Sequence, residues 1–464
     1  MRAVKLEVNP FTFISILELK CTKELNQHGV IRITGIIEQE NGHEYMSMAS
    51  AETWVNVYAI SENGERRRYF AGILTGMWMK IEGQVYVLTI EVNTGSFLLD
   101  IRPHTRSFQN PGFLYPDVIH TCLEEEKGSC TVESKNNEPI GKFLLQYQES
   151  DWQFMKRLAS YAGTVLIPAD HTAERNVYFG YKEQSVIEKL ESNSYQMEQD
   201  YEAYEKKKAA GTSGLRLADF VSYVVQSREI YDLGATVQFE GRNFVIGKIS
   251  SWLKGQELYH EYNLLTKEND NLAPIYNSGL KGISLIASVT SVEKTMVTVQ
   301  IAEDENKTGC GSRLFDYATV YSTPDGTGWY CMPEIGDMVR IVMPDCIEEH
   351  AYAASSIHLG AAGGRTNPDE KSWKNRQNKE ILFTPGAIIL TNNNGLTLEL
   401  SDQEGIKAIS NKNIMLKADG DIRITSQDAG INIAAQTAVS MQQGAAKVEI
   451  KDDINISGGK IYMN

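Results

Sequence analysis

The sequence predicts a mainly β chain in three parts. These are a strand-rich N-terminal region with a few helices, a small OB-type barrel, and a thin C-terminal β-prism wound from three copies of the chain. Three observations carry this expectation. Composition breaks near residue 380, and from Glu380 to Asn464 there is no Trp or Cys and only two aromatic residues, Phe383 and Tyr462. Within that tail short I-x-I units recur, and from Ile414 to Val448 the steps are eight, nine, eight and nine residues. Before it, alternating apolar and polar residues recur in short runs, the pattern of half-buried strands.

Residues 1–275 read as one region. Met1–Val8 alternates apolar and polar, a strand pattern. Ser150-Asp151-Trp152-Gln153 is a capping box, after which Phe154, Leu158 and Tyr161 share one helical face and Gly163 sits where a helix would stop. Pro116–Glu126 predicts a second helix, with Val118, Ile119, Cys122 and Leu123 inward. Thr236–Phe239 and Asn243–Ile249 flank Glu240-Gly241-Arg242 as a hairpin. Residues 187–214, rich in Tyr, Glu and Lys, fit either a helix or an extended excursion.

Residues 280–358 predict the OB-type barrel. Leu285–Val292, Met296–Ile301, Trp329–Met332, Met338–Met343 and Ala351–Ile357 make five short apolar stretches. Residues 359–379, with Gly360-Ala361-Ala362-Gly363-Gly364, read as a linker.

Residues 380–464 would be the prism. Gly, Asn, Asp and Ser separate the units, so each is a short strand with one apolar face followed by a tight turn. The units are too short to close a single-chain β-helix, whose turns take roughly 18 residues or more. Three chains can bury such stripes on a common axis. The expected core residues are Ile414, Leu416, Ile422, Ile424, Ile431, Ile433, Val448, Ile450, Ile454 and Ile456. Ile461 and Met463 would reach the open end and meet a cap. At about 4.8 Å per strand and roughly ten strands, the prism would be on the order of 50 Å long.

The net charge of −15 argues against nucleic acid as main partner, because phosphate contact needs clustered Lys and Arg. The six cysteines form no C-x-x-C pair and read as free buried thiols of a protein made in a reducing cytoplasm. No signal peptide is visible, and no apolar run approaches the roughly 18 residues of a membrane span. The eight histidines are scattered, with no metal-ligand spacing. Asp452-Asp453 reads as a turn, since neighbours on a strand point to opposite faces. No catalytic residue, metal or cofactor is therefore expected. The OB-type barrel reads as a plain connector, because an oligonucleotide groove would need basic residues among its aromatics.

The order of parts resembles a known family. Gln146-Tyr147-Gln148-Glu149-Ser150-Asp151-Trp152-Gln153-Phe154-Met155-Lys156-Arg157-Leu158-Ala159 resembles a signature of the VgrG and phage late-control-D family. So do Leu233-Gly234-Ala235-Thr236-Val237 with Phe244-Val245-Ile246, and the barrel piece Gly328–Val339. The resemblance implies hub β-barrels over 1–275, then the OB barrel, then a trimeric intertwined β-helix needle. It implies a homotrimer at the end of a tail tube in a contractile injection machine, made in the cytoplasm and assembled into a baseplate. Its partners would be tube and baseplate proteins at the hub, a PAAR-like tip or effector at the needle end, and transiently the target envelope. Some relatives carry a lysozyme domain or an axial H-x-H metal site; the linker here leaves no room for the first, and the histidines end at His358. The competing expectation is a trimeric β-helical enzyme of cell wall or polysaccharide, which would need a carboxylate-lined groove with aromatic platforms on the repeat.

Overall fold

The computed structural model describes residues 2–48, 52–182, 184–192, 194–209, 214–266, 274–358 and 367–450. They fall into two units, Met1–Gly360 and Ala361–Asn464.

The first unit is organised by a 12-stranded sheet. Its path runs Lys5–Asn9, Trp54–Ile60, Arg66–Glu82, Val85–Asn93, Val30–Ile37 and Ser15–Glu24, then crosses to Arg242–Lys254, Glu257–Leu265, Val221–Ser227 and Tyr195–Gln199. The hub barrels expected over 1–275 are thus parts of one continuous sheet with two halves. They join where Lys20–Glu24 pairs antiparallel with Lys248–Trp252. Each half has its own core: Ile31, Ile33, Val55, Val57, Phe70 and Ile90 in one, Val225, Phe239, Phe244, Ile246, Tyr262 and Leu264 in the other. The hairpin of the second half turns at Glu240 and Gly241, both with positive φ, the two-residue turn whose twist matches antiparallel strands.

Both predicted helices form. Asp151–Tyr161 is capped by Ser150, whose hydroxyl accepts from the Gln153 N–H. It ends in a Schellman turn, with Gly163 at φ +60°, Gly163 N–H donating to Ser160 C=O and Thr164 N–H to Ala159 C=O. Tyr115–Glu124 buries Val118, Ile119, Cys122 and Leu123 as expected. These helices and a three-stranded sheet share a third core with Phe108, Trp152, Phe154 and Phe179. The ambiguous stretch contains both alternatives: a strand Tyr195–Gln199 and a helix Tyr201–Ala209. A further helix, Gln39–Met48, has no sequence counterpart because only Gly42 and Tyr45 are buried in it. A Cβ at Gly42 would stand 2.9 Å from the Tyr86 ring.

The small barrel is closed, in the order Ser284–Glu293, Met296–Ile301, Phe315–Ala318, Tyr352–Ile357, Met338–Val342. One strand differs from the sequence reading. Trp329–Met332 is not in the barrel, and Phe315–Ala318 takes that place. Trp329 instead returns from a hairpin whose Ser322 and Gly328 form an isolated bridge. The strand Leu144–Ser150 ties barrel to hub. Its successive side chains point to opposite faces, so Leu144 enters the helical core while Leu145, with Phe143, enters the barrel core beside Phe315 and Val297.

The second unit is thin. Lys371–Lys374, Glu380–Thr384, Ala387–Thr391, Leu396–Ser401 and Gly405–Ser410 form a five-stranded antiparallel meander. The first of these lies inside the stretch read as linker, so that stretch is partly structured. Val439–Gln443 and Ala446–Ile450 form a separate hairpin.

Candidate functional site

The meander presents one apolar face, fixed by register. Trp373, Ile381, Leu390, Leu398 and Ala408 stand opposite one another across successive strands. Beside them run Lys371, Phe383, Ile388, Leu400 and Ile406. Because side chains alternate along a strand, both ladders lie on the same face. The other face carries Glu380, Thr391, Thr397, Glu399, Ser401 and Lys407 among a few aliphatics. Burial normally hides such a ladder, yet Trp373 is 54% exposed and Ile406 76% exposed. A groove of about 630 Å³ runs over Trp373, Ile381, Leu390, Leu396 and Leu398.

After the meander the chain runs on without strands to the hairpin at Val439. Among the described residues, 412–438 form no backbone–backbone hydrogen bond. The expected core residues Ile414, Leu416, Ile422, Ile424, Ile431 and Ile433 all lie in this stretch and are exposed. Val448 and Ile450 lie in the terminal hairpin, across from Met441 and Val439, and are exposed as well. Ile454, Ile456, Ile461 and Met463 lie outside the described residues. The meander's apolar face lies upstream of the core residues expected from sequence. Leu396-Thr397-Leu398 carried the same I-x-I signal, and Ile388 and Leu390 alternate, but Trp373 had no repeat to mark it.

Several chemistry-bearing side chains of the first unit are engaged in structure. Among the described residues no group of three or more His, Cys, Asp or Glu is placed to hold a metal ion. Ser96, His28 and Asp100 form a relay, with His28 Nδ1 2.9 Å from Ser96 Oγ and Nε2 3.4 Å from Asp100 Oδ2. Ser96 is fully buried, and the His28 ring lies against Trp152 at 4.3 Å, so no substrate carbonyl can reach the hydroxyl. Burial disfavours the Asp100 carboxylate, but hydrogen bonds from His28 and Ser150 outweigh it and hold its pKa below the usual carboxylate range. Lys23 Nζ lies 2.6 Å from Asp170 Oδ2 at the seam of the two half-sheets. There His260 bonds Ser251 through Nδ1 at 2.7 Å, and burial pushes the imidazole down to about 3, so it stays neutral. All six cysteines are free, but they are not uniformly buried: Cys331 is exposed on the barrel.

Two ionic clips join barrel and hub. Arg157, fully buried, bonds both oxygens of Glu149 and reaches Glu348 of the barrel. Burial opposes its charge, and the two carboxylates overcome this and raise its pKa. The second clip joins His104, Arg106 and Ser107 to Asp304 and Glu305. The barrel also exposes Val320, Tyr321, Trp329 and Tyr330 on its outer hairpin, with Asp316, Asp325 and Glu334 as the neighbouring charges in sequence. That charge does not suit nucleic acid. No helix among the described residues is long and apolar enough to cross a membrane.

Residues 49–201 match the family described as phage tail baseplate hub (GPD). The chain is similar in fold to the Escherichia coli c3393 protein, a type VI secretion component described as structurally similar to the T4 tail proteins gp27 and gp5. The TM-score is 0.53 at 14% identity, covering 76% of this chain and all of that one. It is also similar to a chain of the Francisella PdpA–VgrG complex, with TM-score 0.54 at 9% identity, covering 85% of this chain and 83% of that one. At such identities the likeness is one of fold. No curated protein matches the sequence.

Proposed function

We propose that the chain is a baseplate hub-and-spike protein of the kind its match over residues 49–201 describes, and that it works as a homotrimer. Three N-terminal units would form the ring that meets the tail tube and baseplate. Three C-terminal units would wind into a needle that a contracting sheath drives through an envelope. One observation carries the reading. Residues 412–438 repeat an apolar strand unit, yet their backbone finds no hydrogen-bond partner among the described residues and their Ile side chains are exposed. Unpaired edges and open apolar stripes of this kind call for other chains. Two further copies supply both the hydrogen bonds and the cover.

The role is mechanical rather than catalytic. A needle cross-linked between chains at every repeat unzips only by losing many ladders together. The buried clips of Arg157 and His104 suit a part that must carry thrust from hub to barrel. A small conical PAAR-like protein would seat on the C-terminal end of the needle, and the assembled particle would act outside the cell that made it.

Analytical ultracentrifugation of the full-length protein tests the oligomer, with a trimer expected and a monomer overturning the reading. Electron microscopy of the particle tests the place: density for this chain anywhere other than the tube axis would refute it.

A further inference from the structure

Resting on the trimeric spike reading, we infer that the five-stranded meander of residues 371–410 is a registration clamp. Three copies dock through the Trp373 and Phe383 ladders before residues 412–450 wind together, and this docking sets the stagger of the chains.

The argument starts from the repeat. Its units follow one another at steps of eight and nine residues, and each presents an apolar pair on one face. A slip of two units between chains leaves that pattern intact, because each eight-residue step is followed by a nine-residue one, so the repeat specifies its own register weakly. Something unlike itself along the chain must fix it. The meander has that property. One ladder runs from Trp373 through Ile381, Leu390 and Leu398 to Ala408, so along it the face is bulky at one end and small at the other. Two such faces shifted by one strand would set unlike shapes against each other.

The meander is also the part that can form first. Its strands pair with sequence neighbours through short turns, so no distant contact is needed. Residues 412–438 have no backbone partner among the described residues and must wait for three chains to be aligned. The boundary is built in. Asn411 N–H donates to Gly395 C=O at 3.0 Å, and its side-chain amide donates to Asn394 C=O at 3.2 Å. Gly395 sits at φ +81°, and a Cβ there would stand 2.4 Å from the Asn411 amide nitrogen. A side chain at this position would push the Asn411 amide aside and hold a backbone conformation that favours glycine. The occupant of the apolar face is two more copies of the chain, because the strand that leaves it at Asn411 runs directly into the stretch those copies cover.

The test uses full-length chains refolded from denaturant, with chemical crosslinking over time and mass analysis of protease-resistant fragments. Ile433→Asp is expected to trimerise still, but to be trimmed by protease back toward residue 411. Leu398→Asp is expected to stay monomeric, with the resistant N-terminal unit intact as proof of folding. The milder Leu398→Ala should trimerise several-fold more slowly than wild type, and Ile433→Ala at the wild-type rate. A trimeric wild type with equal rates for the two alanine variants, or with a trimeric Leu398→Asp, overturns the clamp alone. A monomeric wild type overturns the spike reading beneath it.

Discussion

His104 Nδ1 lies 2.7 Å from Glu305 Oε2, a contact between hub and barrel across 201 residues of sequence. Its other nitrogen lies 3.5 Å from Asp151 Oδ2, and Asp151 in turn bonds Arg106 at 2.6 Å. Arg157 makes the parallel link through Glu149 and Glu348. Barrel and hub are therefore fastened by polar groups largely out of water, and at the buried Arg157 cluster a missing partner costs more than the pairs contribute.

Arg157→Leu should accordingly destabilise the protein by about 3–5 kcal/mol, since it strands two buried carboxylates. Replacing Arg157, Glu149 and Glu348 together by apolar residues should recover most of that loss. Denaturant midpoints read by tryptophan fluorescence check both. A triple variant no better than the single one would show that the ions contribute more than their mutual satisfaction.

Acid should weaken the hub in two stages. His260 is held down to about 3 by burial, helped by the Lys23 charge. The unfolded chain takes up that proton near pH 6.5 and the folded chain does not, so stability falls as pH falls from there toward 3, by about 1.4 kcal/mol per unit. Glu305 follows at lower pH. Although partial burial opposes its charge, hydrogen bonds from His104 and the Thr105 N–H hold its pKa below the usual range. Its contribution is full above the unfolded value and is lost as pH falls through the folded one. His260→Gln should flatten the first stage only, as urea midpoints between pH 4 and 7 (roughly the window set by the unfolded His and Glu values) would show.

The helix Asp151–Tyr161 offers a cleaner measurement, because its two ends are independent. Ser150→Ala removes the cap on Gln153 N–H and the hydroxyl that donates to Asp100, and should cost about 1 kcal/mol or slightly more. Gly163→Ala forces a side chain into φ +60° and should cost a similar amount, about 1 kcal/mol. The double variant should show the sum within about 0.5 kcal/mol, as expected of separated sites.

What the sequence disclosed followed from local rules. The cap at Ser150, the stop at Gly163 and the turn at Glu240-Gly241 are each decided by a few neighbouring residues, and all three stand as read. The path of the large sheet was not legible, because the pairing of Lys20–Glu24 with Lys248–Trp252 spans most of the first unit. Phe315–Ala318 escaped notice for its shortness, while Trp329 and Tyr330 looked like strand residues but stand exposed on a hairpin. In the tail the repeat was plain, yet the apolar face of the meander was not. Trp373 joins Ile381, Leu390 and Leu398 only through register, which a linear pattern of Gly, Asn and Lys around it conceals.

The faces of the distal repeat give the sharpest test. In Ile422-Arg423-Ile424 a strand would send both isoleucines one way and Arg423 the other. In the single chain Ile422 and Ile424 are exposed, and among the described residues Arg423 pairs with the exposed Asp421. If three chains wind together, Ile424→Asp places three like charges side by side on an apolar axis, each short of a partner and of water. Arg423→Asp changes a solvated surface and removes one exposed ion pair, worth about 1 kcal/mol at most. Ile424→Asp is therefore expected to abolish the heat and detergent resistance of the distal needle, with Arg423→Asp keeping it within a few degrees of wild type. The measurement is the temperature at which the trimer band is lost on a detergent gel. Equal loss in both variants would mean that Ile424 does not face the axis.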